Sequence, residues 1–178
     1  MRIFLALLLA GFAFAEEKPD VWSTMFPAGV VDAQGNKVDL ATLRSKEFVG
    51  IYFSARHCGP CKDFTPKLLK FRDENNKIFE IVFVSCDYAR DSRAEYLQNN
   101  NFNCPMVEYR SKTDAALKKQ FRLNYLPRLV VLNQKGVVVE NEAQVELGRH
   151  PEKCLPMWRN PVRRETYGTV GAGPDESE

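Results

Sequence analysis

Residues 48–71 read FVGIYFSARHCGPCKDFTPKLLKF, and this stretch decides the fold. Its first seven residues, 48–54, are almost continuously apolar, which is typical of a strand that is buried on both faces of a sheet. Further along, Phe64, Leu68 and Phe71 recur at positions i, i+4 and i+7, which predicts a helix with one apolar face. The stretch therefore predicts a buried strand followed by a helix, with two cysteines between them.

These cysteines, Cys58 and Cys61, form a C-x-x-C motif around Gly59 and Pro60. Two cysteines at this spacing can close a small disulfide ring or open to a dithiol. Cys58 has basic neighbours and precedes the predicted helix, and both features favour the thiolate over the thiol. The alternatives are an inert structural disulfide and a zinc site. Zinc is disfavoured because the chain has only two histidines and no second C-x-x-C pair to complete four ligands.

The rest of the chain predicts an α/β domain in which helices flank a central mixed sheet. Strands and helices alternate, and a hairpin ends the sheet. The predicted elements after the first helix are a buried strand at 79–85, a polar helix near 90–100, a helix capped at Ser111, and a hairpin of 129–132 with 137–139. A smaller hairpin with Gly35 in its turn is predicted near 30–38.

Both ends of the chain are expected to lie outside this domain. Arg2 is followed by an apolar run of 12 residues, 3–14, and Ala-Phe-Ala stands at 13–15, which is typical of a secretory signal peptide cleaved after Ala15. A membrane anchor is the alternative, but so short a run does not cross about 30 Å of hydrocarbon. The expected organisation is a signal peptide at 1–15, an N-terminal extension at 16–26, the domain at 27–160 and a flexible tail at 161–178.

The expected export also indicates the compartment and the partners. The C-terminal sequence PDESE is not a retention signal of the Lys-Asp-Glu-Leu type, which favours a secreted, extracellular or periplasmic protein over one of the endoplasmic reticulum. No membrane association is expected after cleavage. The chain has 25 basic and 23 acidic residues, and cleavage removes one arginine, so 24 and 23 remain. This balance argues against nucleic acid as a partner.

Several motifs together resemble the thioredoxin fold. They are the buried strand, Cys-Gly-Pro-Cys at a helix start, Pro66 within that helix, and Tyr-Leu-Pro at 125–127 before another strand. The sequences YFSA at 52–55 and FTPKL at 64–68 are most similar to the tryparedoxin and nucleoredoxin branch. The similarity extends from about residue 27 to residue 160, with a late Pro-x-Trp at 156–158.

The sequence departs from this pattern at three places. His57 stands where the family usually has a tryptophan directly before the first cysteine. Tyr52 stands where thioredoxins proper carry a buried acid, as in the tryparedoxin branch, and is expected to pack in the core. Gly59 and Pro60 replace the Pro-Pro that is frequent in that branch. The departures leave the redox potential and the preferred partner open.

The position of Cys58 at the helix start and the resemblance suggest a role for each cysteine. Cys58 would attack a substrate disulfide, and Cys61, one turn further, would resolve the mixed disulfide. His57 is expected to tune Cys58 electrostatically, or else to be a solvated imidazole with little effect. Gly59 would permit close approach of a partner, and Pro60 would stiffen the ring.

The resemblance also implies that Pro127 is a cis-proline facing the disulfide. The neighbouring backbone of Leu126 would then be free to pair with an extended substrate. The alternative is an ordinary trans proline before a strand.

Three further cysteines remain. Cys86 follows a buried strand and is expected to be an inert apolar residue. Cys104 and Cys154 lie in stretches flanked by prolines, where they could form a structural disulfide. Either of them could instead be a third redox thiol.

The sequence therefore predicts an exported thiol–disulfide oxidoreductase that acts on protein disulfides or dithiols. It would need an unidentified electron donor or acceptor, but no bound cofactor or metal. The direction of electron flow stays open, because thioredoxin-fold potentials span about −270 to −120 mV. The alternative function is a secreted, non-catalytic binding module that retains the fold and a structural disulfide.

Overall fold

The computed structural model describes residues 20–160 of the 178-residue chain. The predicted signal peptide at 1–15 and the predicted flexible tail at 161–178 lie outside the described residues. Within residues 20–160, no helix combines the length and the apolar character that crossing a bilayer requires.

The described residues form six strands and seven helices. The strands β1 to β6 are Val30–Val31, Lys37–Val38, Phe48–Ser54, Phe79–Ser85, Arg128–Asn133 and Val138–Glu140. The helices α1 to α7 are Val21–Met25, Ala41–Arg44, Gly59–Glu74, Arg90–Asn99, Lys112–Gln120, Ala143–Arg149 and Pro151–Arg159.

A mixed four-stranded sheet forms the centre of the fold, in the order β4-β3-β5-β6. Strand β3 pairs in parallel with β4 and antiparallel with β5, and β6 pairs antiparallel with β5. The hairpin of β1 and β2 joins the sheet through Met106, which bridges both Val31 and Phe83. The expected α/β architecture with a central mixed sheet is confirmed.

Side chains of the sheet alternate between two cores, one on each face. On β3, Tyr52 belongs to the first core, whereas Ile51 and Phe53 belong to the second. Helices α3, α4, α6 and α7 cover the first core with buried side chains such as Leu68, Leu97, Leu147 and Trp158. Helices α1, α2 and α5 cover the second core with Trp22, Leu43 and Leu117. The sheet is therefore flanked by helices on both faces.

The predicted strands, hairpins and long helices are confirmed to within about one residue, but four short helices were not predicted. Helices α1, α2, α6 and α7 have four to nine residues, too few for a helical period to stand out in sequence. Tertiary packing stabilises such short helices. The described part of the predicted N-terminal extension packs in the same way, since Trp22 and Phe26 are buried in the second core.

Candidate active site

The cysteine pair lies where the central strand passes into the longest described helix. Strand β3 ends at Ser54 and helix α3 begins at Gly59, with Cys58 as its N-cap. The Cys58 and Cys61 sulfurs form a disulfide with an S–S distance of 2.26 Å and a Cα–Cα distance of 5.2 Å. The backbone N–H of Cys61 donates to Cys58 Sγ at 3.2 Å. The sulfur of Cys58 therefore occupies the positive end of a 16-residue helix.

The two sulfurs differ in their access to solvent. Cys58 is partly exposed, whereas Cys61 is fully buried. An incoming partner can therefore reach Cys58 but not Cys61, which is the asymmetry that disulfide exchange requires. Gly59 and Pro60 are exposed between them and leave the approach to Cys58 open.

Two basic neighbours of Cys58, Arg56 and His57, interact with residues that the sequence did not indicate. Arg56 forms a 2.6 Å ion pair with Glu95, which partly offsets its field at the sulfur. His57 is exposed and stacks on Tyr88, with ring centroids 4.4 Å apart and planes inclined by 16°. Sequence reasoning did not anticipate either partner, because both are distant along the chain.

Pro127 follows a cis peptide bond, as the resemblance implied. It directly precedes β5, where Arg128 is in register with Phe53 of β3. Pro127 therefore lies at the same end of the sheet as the cysteine loop. In the part of the chain that the structure describes, neither backbone polar group of Leu126 is hydrogen-bonded. The prediction that this backbone pairs with a substrate stays a prediction.

A cluster of four buried hydroxyl groups lies beneath the cysteine pair. Tyr52 and Ser54 of β3, Thr65 of α3 and Tyr96 of α4 form a ring of contacts at 2.5 to 3.1 Å. Thr65 also donates to the carbonyl of Cys61 at 2.7 Å. Burial is the main reason that the pKa of Tyr52 is raised well above its ordinary value, so this phenol stays neutral. Tyr52 packs in the core as predicted, but it also belongs to a polar network.

Asp87 braces the loop that leads to the cysteines. Its buried carboxylate accepts the backbone N–H of Arg56 at 2.8 Å and the hydroxyl of Ser85 at 2.9 Å. The hydroxyl of Tyr109 donates to the Asp87 carbonyl at 2.9 Å. Sequence reasoning missed this residue, although an acid two positions after a buried strand is the signal that could have found it.

The other cysteines do not form the suggested disulfide. Cys104 is a free, buried thiol, so the disulfide with Cys154 that the sequence left open does not form. Cys154 lies inside α7 rather than in a loop, and its thiol donates to the His150 carbonyl at 3.8 Å. Burial raises the pKa of Cys86 to about 11 and that of Cys104 to about 12. Both groups are therefore protonated near neutral pH, and the protonated thiol is a poor nucleophile.

No group of three or more histidine, cysteine or acidic side chains within residues 20–160 is arranged to hold a metal ion. The arrangement that the site does contain is a half-exposed sulfur in a reversible bond with a buried one. Chemically, it can accept or release two electrons through that bond.

This fold and this cysteine pair define a thioredoxin-like redox protein. Residues 46–138, just over half of the chain, match the family described as Thioredoxin-like. The chain therefore belongs to the thioredoxin-like family.

Its relatives include nucleoredoxins and tryparedoxins. It is 31% identical to a probable nucleoredoxin 2 of Oryza sativa subsp. japonica, over 80% of this chain and 36% of that protein. It is 29% identical to tryparedoxin of Trypanosoma brucei brucei, over 72% of this chain and 90% of that protein. The structure of tryparedoxin I from Crithidia fasciculata matches with a TM-score of 0.64 and 31% identity, over 73% of this chain and 92% of that one. The expected thioredoxin-like fold, nearest to this branch, is confirmed.

Proposed function

We propose that this chain is an exported oxidoreductase that exchanges disulfides with protein substrates. The observation that carries the proposal is the partly exposed Cys58 sulfur, bonded to the buried Cys61 at the N-terminus of α3. Membership of a family of thioredoxin-like oxidoreductases supports the general chemistry. The chain spans about a third of the length of the rice nucleoredoxin that it matches, so the activity of that whole protein does not transfer directly.

The reaction follows from the asymmetry of the two sulfurs. In the dithiol form, the Cys58 thiolate attacks one sulfur of a substrate disulfide, and the other substrate sulfur leaves as a thiolate that takes up a proton. Cys61 then loses its proton and attacks Cys58, which releases the second substrate sulfur. The substrate gains two electrons and two protons, and the Cys58–Cys61 disulfide re-forms. The reverse sequence oxidises a substrate dithiol.

The surroundings of Cys58 favour the attacking form. The N-terminus of α3 and the backbone N–H of Cys61 both stabilise negative charge on the Cys58 sulfur. The backbone of Leu126 has no hydrogen-bond partner within residues 20–160 and lies at the same end of the sheet, so it can offer hydrogen bonds to an extended substrate. Electrons must come from or pass to a second partner, which the residues do not identify.

Reduction of insulin disulfides in the presence of dithiothreitol tests the activity. We expect the wild-type protein to accelerate precipitation of the insulin chains, and Cys58→Ser to abolish the acceleration. A wild-type rate equal to that of Cys58→Ser would contradict the proposal.

A second variant distinguishes an enzyme from the alternative, a non-catalytic binding module. Cys61→Ser leaves Cys58 able to attack but removes the sulfur that resolves the intermediate, so mixed disulfides with substrates should accumulate. Non-reducing electrophoresis with and without dithiothreitol detects them. A binding module would instead retain its partners in Cys61→Ser without covalent adducts.

Export is a separate part of the proposal, supported by the apolar run at residues 3–14. Expression of the full chain with a C-terminal tag in a secreting host, followed by mass determination, tests it. A mature protein that begins at Glu16 outside the cytosol supports export, and full-length protein confined to the cytosol contradicts it.

A further inference from the structure

One aromatic side chain beside the redox site is unusually exposed. Tyr88 is 77% exposed, well above Tyr125 at 39%, although 37 hydrophobic residues of the described chain are buried. An aromatic ring left in water forgoes the free energy of its burial. The Tyr88 ring is in contact with another ring, because it stacks on His57 with the two centroids 4.4 Å apart. These two residues are called the His57–Tyr88 platform.

The backbone that carries Tyr88 is held firmly in place. The preceding residue, Asp87, is buried and accepts hydrogen bonds from Arg56, Ser85 and Tyr109. The carbonyl of Tyr88 itself accepts a hydrogen bond from the guanidinium of Arg110. A large exposed side chain on a braced backbone is therefore preorganised rather than free.

Tyr109, whose hydroxyl bonds to Asp87, is itself surrounded by basic side chains. Three guanidinium groups lie 5.2 to 5.8 Å from the centre of the Tyr109 ring, from Arg90, Arg93 and Arg110. They hold the ring whose hydroxyl bonds to Asp87. Tyr88 thus projects from a loop that hydrogen bonds and these guanidinium groups support.

The platform adjoins the only sulfur that a substrate can reach at this site. His57 directly precedes Cys58, so the stacked rings begin one residue away from the sulfur that a polypeptide disulfide has to meet. Rigid aromatic side chains lose little conformational entropy on binding, and they are frequent anchors of protein contacts. A small disulfide needs contact with the sulfur alone.

We propose that Tyr88 determines specificity for polypeptide substrates, by offering the His57–Tyr88 platform to an apolar side chain next to the substrate cystine. This inference rests on the proposed oxidoreductase function and names its substrate class. Tyr88 takes no part in the sulfur chemistry itself, so its loss affects large substrates and leaves small ones unchanged.

The test compares kcat/KM for insulin and for glutathione disulfide in wild type, Tyr88→Ala, Tyr88→Phe and Val145→Ala. Val145 is 46% exposed on α6 and serves as the control for loss of an exposed apolar side chain. We expect Tyr88→Ala to lower kcat/KM for insulin by about tenfold, the loss of one aromatic anchor, with glutathione disulfide unaffected. Tyr88→Phe keeps the ring and should retain the wild-type value, as should Val145→Ala. The redox potential of the cysteine pair should be the same in all four proteins.

Four results would overturn the inference. If Tyr88→Ala lowered kcat/KM equally for both substrates, Tyr88 would act in the sulfur chemistry. If kcat/KM for insulin were unchanged, the platform would have no role in substrate binding. Wild-type protein that turns over glutathione disulfide but not insulin would refute the polypeptide class while the oxidoreductase function stands. Activity on neither substrate would refute the proposed function together with this inference.

Discussion

Among the described cysteines, position separates reactive from inert sulfur. Cys58 is partly exposed at the start of a 16-residue helix, where the dipole and a backbone N–H stabilise a thiolate. Cys86 follows β4 and is half-buried, and burial is the main cause of its raised pKa, which neighbouring Lys118 only partly counteracts. The same residue type therefore serves as a nucleophile at one place and as an apolar side chain at another.

This difference predicts the order in which the thiols are alkylated. After reduction with dithiothreitol and treatment with iodoacetamide near neutral pH, Cys58 should be labelled first. Because the pKa of Cys86 is about 11 and that of Cys104 about 12, both are almost wholly protonated at that pH and should resist labelling until the protein is denatured. Since only the thiolate reacts, labelling of native Cys86 should increase as the pH rises towards 11.

Peptide mapping by mass spectrometry measures the labelling of each cysteine. The oxidised protein is the control, because its Cys58 is protected by the disulfide while Cys86 is unchanged. Rapid modification of native Cys86 at neutral pH would contradict the prediction that Cys86 is an inert, apolar side chain.

At the scale of elements, the hydroxyl cluster connects strand β3, which precedes the cysteines, to the helices α3 and α4 that pack on it. Tyr52 and Ser54 belong to β3, Thr65 to α3 and Tyr96 to α4. The four hydroxyl groups supply four protons, which can make at most four of the five contacts hydrogen bonds at one time, counting the one from Thr65 to the Cys61 carbonyl. Each hydroxyl group therefore depends on the others for a partner in a region without water access.

Removal of one hydroxyl group from this cluster should be costly. Tyr96→Phe keeps the ring but leaves Ser54 and Thr65 short of a partner, which should lower the free energy of unfolding by about 1–3 kcal/mol. Urea denaturation measures the change. Tyr125→Phe removes an exposed hydroxyl that bonds to Glu142 and should change stability much less. Equal stabilities of the two variants would show that the cluster contributes nothing.

The N-cap of α5 gives an independent prediction at the same scale. The hydroxyl of Ser111 accepts the backbone N–H of Asp114 at 3.1 Å. Ser111→Ala should therefore reduce the free energy of unfolding by about 1 kcal/mol, whereas Ser111→Asp, which can also cap, should retain most of it. Thermal unfolding followed by circular dichroism measures both, and an unchanged midpoint in Ser111→Ala would contradict the capping role.

Sequence could predict the features of the site that local patterns encode. Strands β3 and β4, the cap at Ser111 and the cysteines at a helix start all follow from periodicity and spacing. The position of Asp87 after a buried strand could have marked it, but its bond to the Arg56 backbone and the stacking of His57 on Tyr88 could not be predicted, because each joins residues about 30 positions apart. The helix containing Cys154 was missed for the related reason that packing, rather than periodicity, defines it.

At the scale of the whole molecule, α7 closes the first core at the end of the sheet opposite the cysteines. Trp158 is 4% exposed and packs against Phe48, Phe71 and Phe79, with ring centroids 5.3 to 5.8 Å apart. Phe48 and Phe79 are the first residues of β3 and β4, which carry the cysteine loop and Asp87 at their other ends. One tryptophan thus fixes the two strands on which the site is built.

Replacement of this tryptophan should therefore destabilise the whole domain while leaving the chemistry of the surviving folded protein intact. Trp158→Ala should lower the free energy of unfolding by about 3–5 kcal/mol, since the emptied space lies among three phenylalanine rings. Met157→Ala, one residue earlier in the same helix and 37% exposed, is the matched control and should have a small effect. Urea denaturation gives the stabilities, and insulin reduction measured well below the unfolding midpoint gives the activity per folded molecule.

A Trp158→Ala protein as stable as Met157→Ala would mean that α7 does not hold the sheet. A lower activity per folded molecule would mean that packing at this end reaches the cysteines through β3.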